Sequence, residues 1–201
     1  LLDDDHSAIE KPAAVVIETV QAEGGIQVFE VEYLQRLRKF CDDNDILLMI
    51  DDIQVGCART GTYFSFERAG IQPDILVCRS ELPLDDKIRE KIGNFCNVPT
   101  HRVLQNLDVE VLYEAPLAME KEHLASVVCE CLHLDCPEPD LSEWTAMINA
   151  WKHPQKQVSV ALVGKYIALH DAYISVVESL KHAGCFHRTE VSIKWVDSEQ
   201  L

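Results

Sequence analysis

The chain has 201 residues, 47% of them hydrophobic, enough for one medium domain or two small ones. A net charge of −16 sets it against nucleic-acid backbones and anionic membranes as partners, and is otherwise what simple solubility asks for. Eight cysteines at irregular spacing, with no signal peptide, point to reduced cytoplasmic thiols rather than a disulfide framework, and no apolar run reaches the length of a membrane span.

The chain opens on LLDDDHSAIEKPAA without an initiator Met and closes on VDSEQL just past a strand-like run, as expected of a piece of longer coding sequence. In chain order, AAVVIETV (13–20) is a β-branched run that predicts a buried strand. VEYLQRLRKFCDDND (31–45) places Leu34, Leu37, Phe40 and Cys41 at helical spacing and predicts a helix with one apolar face. ILLMIDD (46–52) predicts a second buried strand, and strand, helix, strand in that order implies a parallel βαβ unit. PDILVCRS (73–80) predicts another strand.

From residue 84 the texture changes. LDDKIREKIGNFC (84–96) is helical, NVPTHRVLQNLD (97–108) is a turn and a short extended run, and PLAMEKEHLASVVCECLHL (116–134) is a longer helical stretch. DLSEWTAMINAWK (140–152) begins with Asp140 or Ser142 as its cap, and HPQKQ (153–157) reads as a linker. VSVALVGKY (158–166), DAYISVVESLKHAG (171–184) and TEVSIKWVDS (189–198) predict a strand, a helix ending at Gly184 and a strand, which open a new α/β domain. There is no internal repeat and no low-complexity tract.

IDDIQVGCARTG (50–61) sets two carboxylates at a strand end, then Gln54, then a glycine-bearing loop. Ligands of parallel sheets sit at strand C-termini, and a carboxylate there can keep a ring nitrogen protonated, as an electron-sink cofactor requires. Taken alone, an Asp-Asp pair after a strand is ordinarily a helix cap or a turn. CECLHLDC (129–136) invites a metal reading through Cys129, Cys131, His133 and Cys136. That spacing fits no familiar zinc knuckle, and residues two apart on a helix do not face each other, so ordinary burial or exposure is expected. Trp144 and Trp151, seven apart, are expected in a core rather than as a stacking platform.

KPAAVVIETVQAEGG (11–25) together with ILLMIDDIQVGCARTGTYFSFERAGIQPDI (46–75) resembles the class III, pyridoxal-phosphate-dependent aminotransferases, nearest to the diaminobutyrate–2-oxoglutarate transaminases. The resemblance covers residues 1–75. It implies that Asp51 pairs with the pyridinium nitrogen of pyridoxal phosphate and that Gln54 contacts the ring hydroxyl. It places Glu18 and Glu23 in the family's E-x-x-Q-x-E-G-G segment on the substrate side. In that family the Schiff-base lysine follows PDI within a few residues; here the place is taken by LVCRS. Arg79 is no substitute, because a guanidinium stays protonated, and Lys87 comes too late and in helical surroundings. The family's upstream phosphate-binding segment is also absent.

GIQPDILVCRSELPLDDKIREKIGNFCNVP (70–99), with VLQNLDVEVLYEAPLAMEKEHL, LHLDCPEPDLSEW and VALVGKYIALHDAYISVVESLKHAG, resembles CTP synthase from residue 70 to 201. That family joins an amidoligase domain to a class I glutaminase domain. The resemblance implies ATP- and Mg-dependent amination of UTP to CTP with ammonia from glutamine, by a homo-oligomeric enzyme. Carried over position by position, Lys91 contacts UTP and the inhibitor CTP, a role that suits a point charge on triphosphate oxygens. Leu107, Asp108 and Val109 lay their backbone against the ATP adenine; Leu107 stands where a lysine is frequent, so only the backbone role carries over. GKY (164–166) and the helix from Asp171 open the glutaminase domain. No glycine-rich phosphate loop, no set of magnesium carboxylates and no G-x-C-x-G nucleophile elbow occurs in the chain; Cys185 after Gly184 resembles no such turn.

The two resemblances meet inside AGIQPDI, at about residues 69–75. The expectation is a chimera of two unrelated coding segments, from an assembly or recombination error rather than a selected fusion, because the join cuts both active sites. The expected class is α/β: fragments of two or three parallel-sheet domains, none complete. The expected divisions are 1–72 (aminotransferase large-domain fragment), 73–152 (C-terminal part of the amidoligase domain with linker helices) and 153–201 (first βαβ of the glutaminase domain). Three functions compete: a CTP synthase fragment without activity of its own, a transaminase fragment lacking its lysine, and a non-catalytic module that binds UTP or CTP through Lys91. No catalytic set is complete, no metal site is expected, and neither ATP with Mg nor pyridoxal phosphate is expected to bind well. Unpaired sheet edges predict poor solubility or molten behaviour.

Overall fold

The computed structural model describes residues 11–199. It begins with β1 (Ala14–Ile17), a small antiparallel hairpin of β2 (Val20–Gln21) and β3 (Gln27–Val28), α1 (Val31–Asp43) and β4 (Leu47–Ile50). β1 and β4 pair in parallel, from Ala14 opposite Leu47 to Ile17 opposite Ile50, as the expected βαβ unit requires. The apolar face of α1 is narrower than its sequence suggests. Leu34 and Cys41, seven apart, are fully buried and Leu37 is half-buried, whereas Phe40 lies off the stripe and is exposed. Leu34 and Cys41 pack with Ile46, Leu48, Phe66, Ala69 and Ile71 into one core. Burying a leucine of this kind contributes about 1.5–3 kcal/mol.

β5 (Leu76–Ser80), α2 (Asp86–Cys96) and β6 (Val103–Leu107) repeat the same pattern, with β5 and β6 parallel from Leu76 opposite Val103 to Ser80 opposite Leu107. The Asp85 carboxylate accepts from the Ile88 amide at 2.8 Å and starts α2; Asn97, in the left-handed region at φ 54°, ends it. Residues 116–134 do not form one helix. α3 (Ala115–Lys121) and α4 (Leu124–Cys131) are separated where His123 turns left-handed at φ 59°.

α5 (Ser142–Lys152) is preceded by Asp140, whose carboxylate accepts from the Ser142 amide at 2.9 Å, so Asp140 is the side chain that serves the helix start. β7 (Lys156–Gly164), α6 (Ile174–Phe186) and β8 (Thr189–Asp197) form the third βαβ unit, parallel over nine rungs from Lys156–Thr189 to Gly164–Asp197. The expected linker is shorter than HPQKQ, because the Gln155 and Lys156 amides both bond to the Arg188 carbonyl and extend the strand backwards. α6 also runs two residues past Gly184. A Cβ there would stand 2.6 Å from the Thr189 carbonyl oxygen, so this glycine permits close approach of the helix to β8 rather than ending the helix.

The architecture is α/β, and among the described residues every strand pairs with a single partner. The chain divides into two compact units: the described residues up to Asp108 with Ala118–Glu138, and Val109–Leu117 with the described residues from Pro139 onward. Among the described residues no helix is long and apolar enough to cross a membrane.

Candidate ligand-facing strand ends

The first candidate lies where β1 and β4 finish side by side. The Asp51 amide bonds to the Ile17 carbonyl, so Glu18 and Asp51 leave adjacent strands together. Asp51 is exposed, and its carboxylate accepts from the Ile53 amide at 3.1 Å, closing a local turn. Gln54 and Glu23 are exposed, and the Glu18 carboxylate accepts from the Ala22 amide at 3.4 Å. The inward-facing acid is Asp52. It accepts from the Ser65 amide at 3.1 Å and from the Ser65 hydroxyl, which in turn pairs with the fully buried Thr19 hydroxyl. Buried polar groups need such partners, and this chain of three ties the loop after β4 to the end of β1. Gly56 closes the arrangement: a Cβ there would stand 2.7 Å from the Asp52 carbonyl oxygen.

The second candidate is the matching end of β5 and β6. Arg79 is exposed on β5, donates to the Asn106 carbonyl at 3.1 Å and pairs with Asp108. Leu107 is the last residue of β6, half-buried opposite Ser80, and Asp108 follows it. Lys87 and Lys91 are both exposed on α2. Asp108 closes the first unit and Val109 opens the second.

A third constellation has no local pattern in the sequence. The Arg89 guanidinium grips the Glu122 carboxylate at 2.5 and 3.2 Å, with side chains only 19% and 15% exposed. Glu122 also accepts from the Gln105 amide and side chain, Gln105 accepts from the Leu84 amide, and Arg89 donates to the Val103 carbonyl. Arg89 above all holds the Glu122 carboxyl below its usual range. The partners lie 33 and 17 residues apart, so helix spacing alone could not expose them.

Among the described residues no cluster of His, Cys, Asp and Glu is arranged to hold a metal ion. Trp144 and Trp151 are half-buried on α5; the Trp144 indole donates to the Tyr113 carbonyl at 2.7 Å, and the Trp151 ring lies 5.1 Å from that of Tyr113. Cys185 is half-buried near the end of α6, and burial raises its thiol pKa.

Comparison with known proteins separates the candidates. The family description "Aminotransferase class-III" matches residues 4–81, and "CTP synthase N-terminus" matches residues 59–134. The matches to two families meet in this chain. CTP synthase of Ruminiclostridium cellulolyticum is 55% identical over 132 residues, covering 66% of this chain and 25% of its own length. That of Symbiobacterium thermophilum is 57% identical over the same length, covering 66% and 24%. The matched length equals that of residues 70–201, and the chain spans about a quarter of the curated relatives it matches. A solved structure, a mutant of M. tuberculosis Rv3290c, is 39% identical over 31% of this chain and 14% of its own, with a TM-score of 0.30.

The two family matches overlap over residues 59–81, which include the AGIQPDI word and all of β5. Contacts cross that point. Arg38, on the aminotransferase side, pairs with Asp42 at 2.6 Å and with Asp74, inside the shared word, at 3.0 Å. Phe95, on the CTP synthase side, sits 5.3 Å from the Tyr63 ring. Between the two lies a cleft of about 390 Å³ lined by Arg38, Gly70, Asp74, Asn97 and Arg102 among others. The Nε atoms of Arg38 and Arg102 are buried there without hydrogen-bond partners. An orphaned buried donor costs about 1–3 kcal/mol, so this seam is packed but not fully satisfied.

Proposed function

We propose that the chain is a CTP synthase fragment over residues 70–201 fused to an aminotransferase piece over residues 1–75, and that the isolated polypeptide turns over neither parent reaction. The parent reaction of the larger part is ATP-dependent amination of UTP to CTP with glutamine as nitrogen donor. Its divisions are taken as 1–72, 73–152 and 153–201, and its place as the cytoplasm. The observation that carries this reading is the join itself. Beyond it, the strand that would bear the aminotransferase lysine holds Arg79, already engaged by Asp108 and the Asn106 carbonyl. Before it, the chain carries aminotransferase-like sequence in the place of the upstream amidoligase parts.

The donor set does not fit an aldehyde cofactor held as a Schiff base. A guanidinium stays protonated and offers no free amine. Asp51, the expected partner of the ring nitrogen, is exposed and bonds the Ile53 amide through one of its two carboxylate oxygens. Purified chain incubated with UTP, ATP, Mg and glutamine, and separately with pyridoxal phosphate and an amino donor, is expected to yield neither CTP nor a transaminated product. Turnover in either assay overturns the proposal. An amplified product spanning codons 60–90 from source DNA, or the tryptic peptide from Ala69 to Arg79 from cells, would refute the assembly-error origin.

A second reading, a nucleotide-binding module, is favoured by the exposure of Lys91 on α2. Calorimetry with UTP and CTP decides it. Binding heat that is lost in Lys91→Ala supports the module, and absence of heat in the unaltered chain removes it.

A further inference from the structure

The outer edge of the third βαβ unit carries a self-complementary pattern. The Lys156 amide bonds to the Arg188 carbonyl, and the Ser198 amide to the Gly164 carbonyl. Backbone bonds in a parallel ladder come from every second residue, so the even-numbered residues of β8 turn their N–H and C=O groups toward β7. Val191, Ile193 and Trp195 turn theirs to the opposite edge, where among the described residues no strand pairs with β8. The side chains of these odd-numbered residues share the face that α6 covers, since a Cβ on Gly184 would stand 2.7 Å from Val191 Cγ2. Glu190, Ser192 and Lys194 lie on the other face, and Glu190 and Lys194 are exposed.

We propose that two copies of this chain pair antiparallel along β8, about a twofold axis at Ser192, into a four-stranded sheet ordered β7–β8–β8–β7. Antiparallel pairing sets outward-turned residues opposite one another. Centred on Ser192, it places Val191 opposite Ile193 of the second copy, and Thr189 opposite its Trp195, as hydrogen-bonded pairs. Glu190 then falls opposite Lys194 at a non-hydrogen-bonded position, where side chains approach most closely, and the axis makes this contact twice. Moving the axis to Ile193 sets Glu190 opposite Val196 and Lys194 opposite Ser192, so both charges lose their partners. Moving it to Val191 sets Lys194 opposite Arg188, a pair of like charges. Charge therefore selects one register. The outer edge of β7 has no such pattern, because Lys156 is its only charged residue. A two-stranded pair is marginal in water, and doubling it without a free β8 edge relieves that weakness. The contact is isologous, so it closes at two copies.

The test sediments the full chain over a concentration series in about 0.15 M salt, where repulsion from its net charge of −16 is screened beyond about 8 Å. The expected result is reversible association that stops at two copies. Lys194→Glu leaves two acids on the edge and Glu190→Lys two bases, so each should weaken association about tenfold. An equimolar mixture of the two variants should recover the dimer, because an acidic edge then meets a basic one in the same register. Hydrogen exchange of the unaltered chain, read amide by amide, needs no variant. Protection at Val191, Ile193 and Trp195 should rise with protein concentration, while Glu190, Ser192 and Lys194, already bonded to β7, stay constant. A monomer at every concentration, growth beyond two copies, or concentration-dependent protection without this alternation would overturn the proposal. So would single variants that associate as well as the unaltered chain, or a mixture that associates no better than its components.

Discussion

The two compact units bury apolar surface to very different extents. In the first, α1 lays Leu34 and Cys41 against Leu48, Phe66 and Ala69, so a strand pair of only four rungs sits on a closed core. In the second, nine rungs join β7 to β8, yet among its described residues the buried hydrophobic side chains are Ile148 and Leu162. Val158, Val163, Ile174 and Phe186 stay between 43% and 84% exposed. A long ladder is therefore no measure of stability. Each backbone bond nets about 0.5–1.5 kcal/mol, and a two-stranded pair with open faces and edges is marginal in water. What holds a small α/β fragment is a covered face.

The largest expected effect tests that contrast directly. Leu34→Ala should cost the first unit about 2–5 kcal/mol. Leu162→Ala, at a site 8% exposed in a unit whose other buried hydrophobic side chain among the described residues is Ile148, should cost the second much less. Trp144, Trp151 and Trp195 all lie in the second unit, so tryptophan fluorescence in urea follows it, and hydrogen exchange at Leu47–Ile50 follows the first. Equal losses would erase the difference between the units.

Glu122→Gln comes next, at about 1.5–3 kcal/mol, because it leaves the Arg89 guanidinium short of its charged acceptor. The same pair sets a pH limb. The folded state holds the Glu122 carboxyl low, chiefly through Arg89, so its contribution is present above the unfolded value of about 4.3 and is lost as pH falls through the folded one. Urea midpoints should drop on acidification in the unaltered chain, and Glu122→Gln should flatten that drop.

Two smaller changes sharpen the picture of the first unit. Ala58 sits in the left-handed region at φ 67°, so Ala58→Gly should raise that unit's stability by about 1 kcal/mol in thermal unfolding followed by hydrogen exchange. Asp74→Asn, at the seam, removes one of two acids from Arg38 and should cost about 0.5 kcal/mol, as a partly exposed pair does. A cost several times larger would mean that the seam, rather than the α1 core, holds the unit together.

Most elements were legible because their signals are local. The apolar runs at 13–20 and 46–52 gave β1 and β4, the apolar spacing of α1 survived except at Phe40, and the two expected βαβ units formed with parallel strands. The misses were decided by contacts between distant residues. Lys156 joined β7 because the Arg188 carbonyl was opposite it, and α6 passed through Gly184 because Thr189 came close. The long helix over 116–134 broke at His123, a residue with no breaker signature. At the first strand end, residue order singled out the Asp-Asp pair, but it could not say that Asp51 would serve its own turn while Asp52 faced Ser65.

The two family resemblances, and the word AGIQPDI where they meet, were readable from residue order alone, because long specific strings reveal similarity without any fold. Folding settled which distant groups became neighbours. Arg38 found Asp74, Phe95 found Tyr63 and Glu122 found Arg89, since charge pairing and ring contact depend on distance in space and not along the chain.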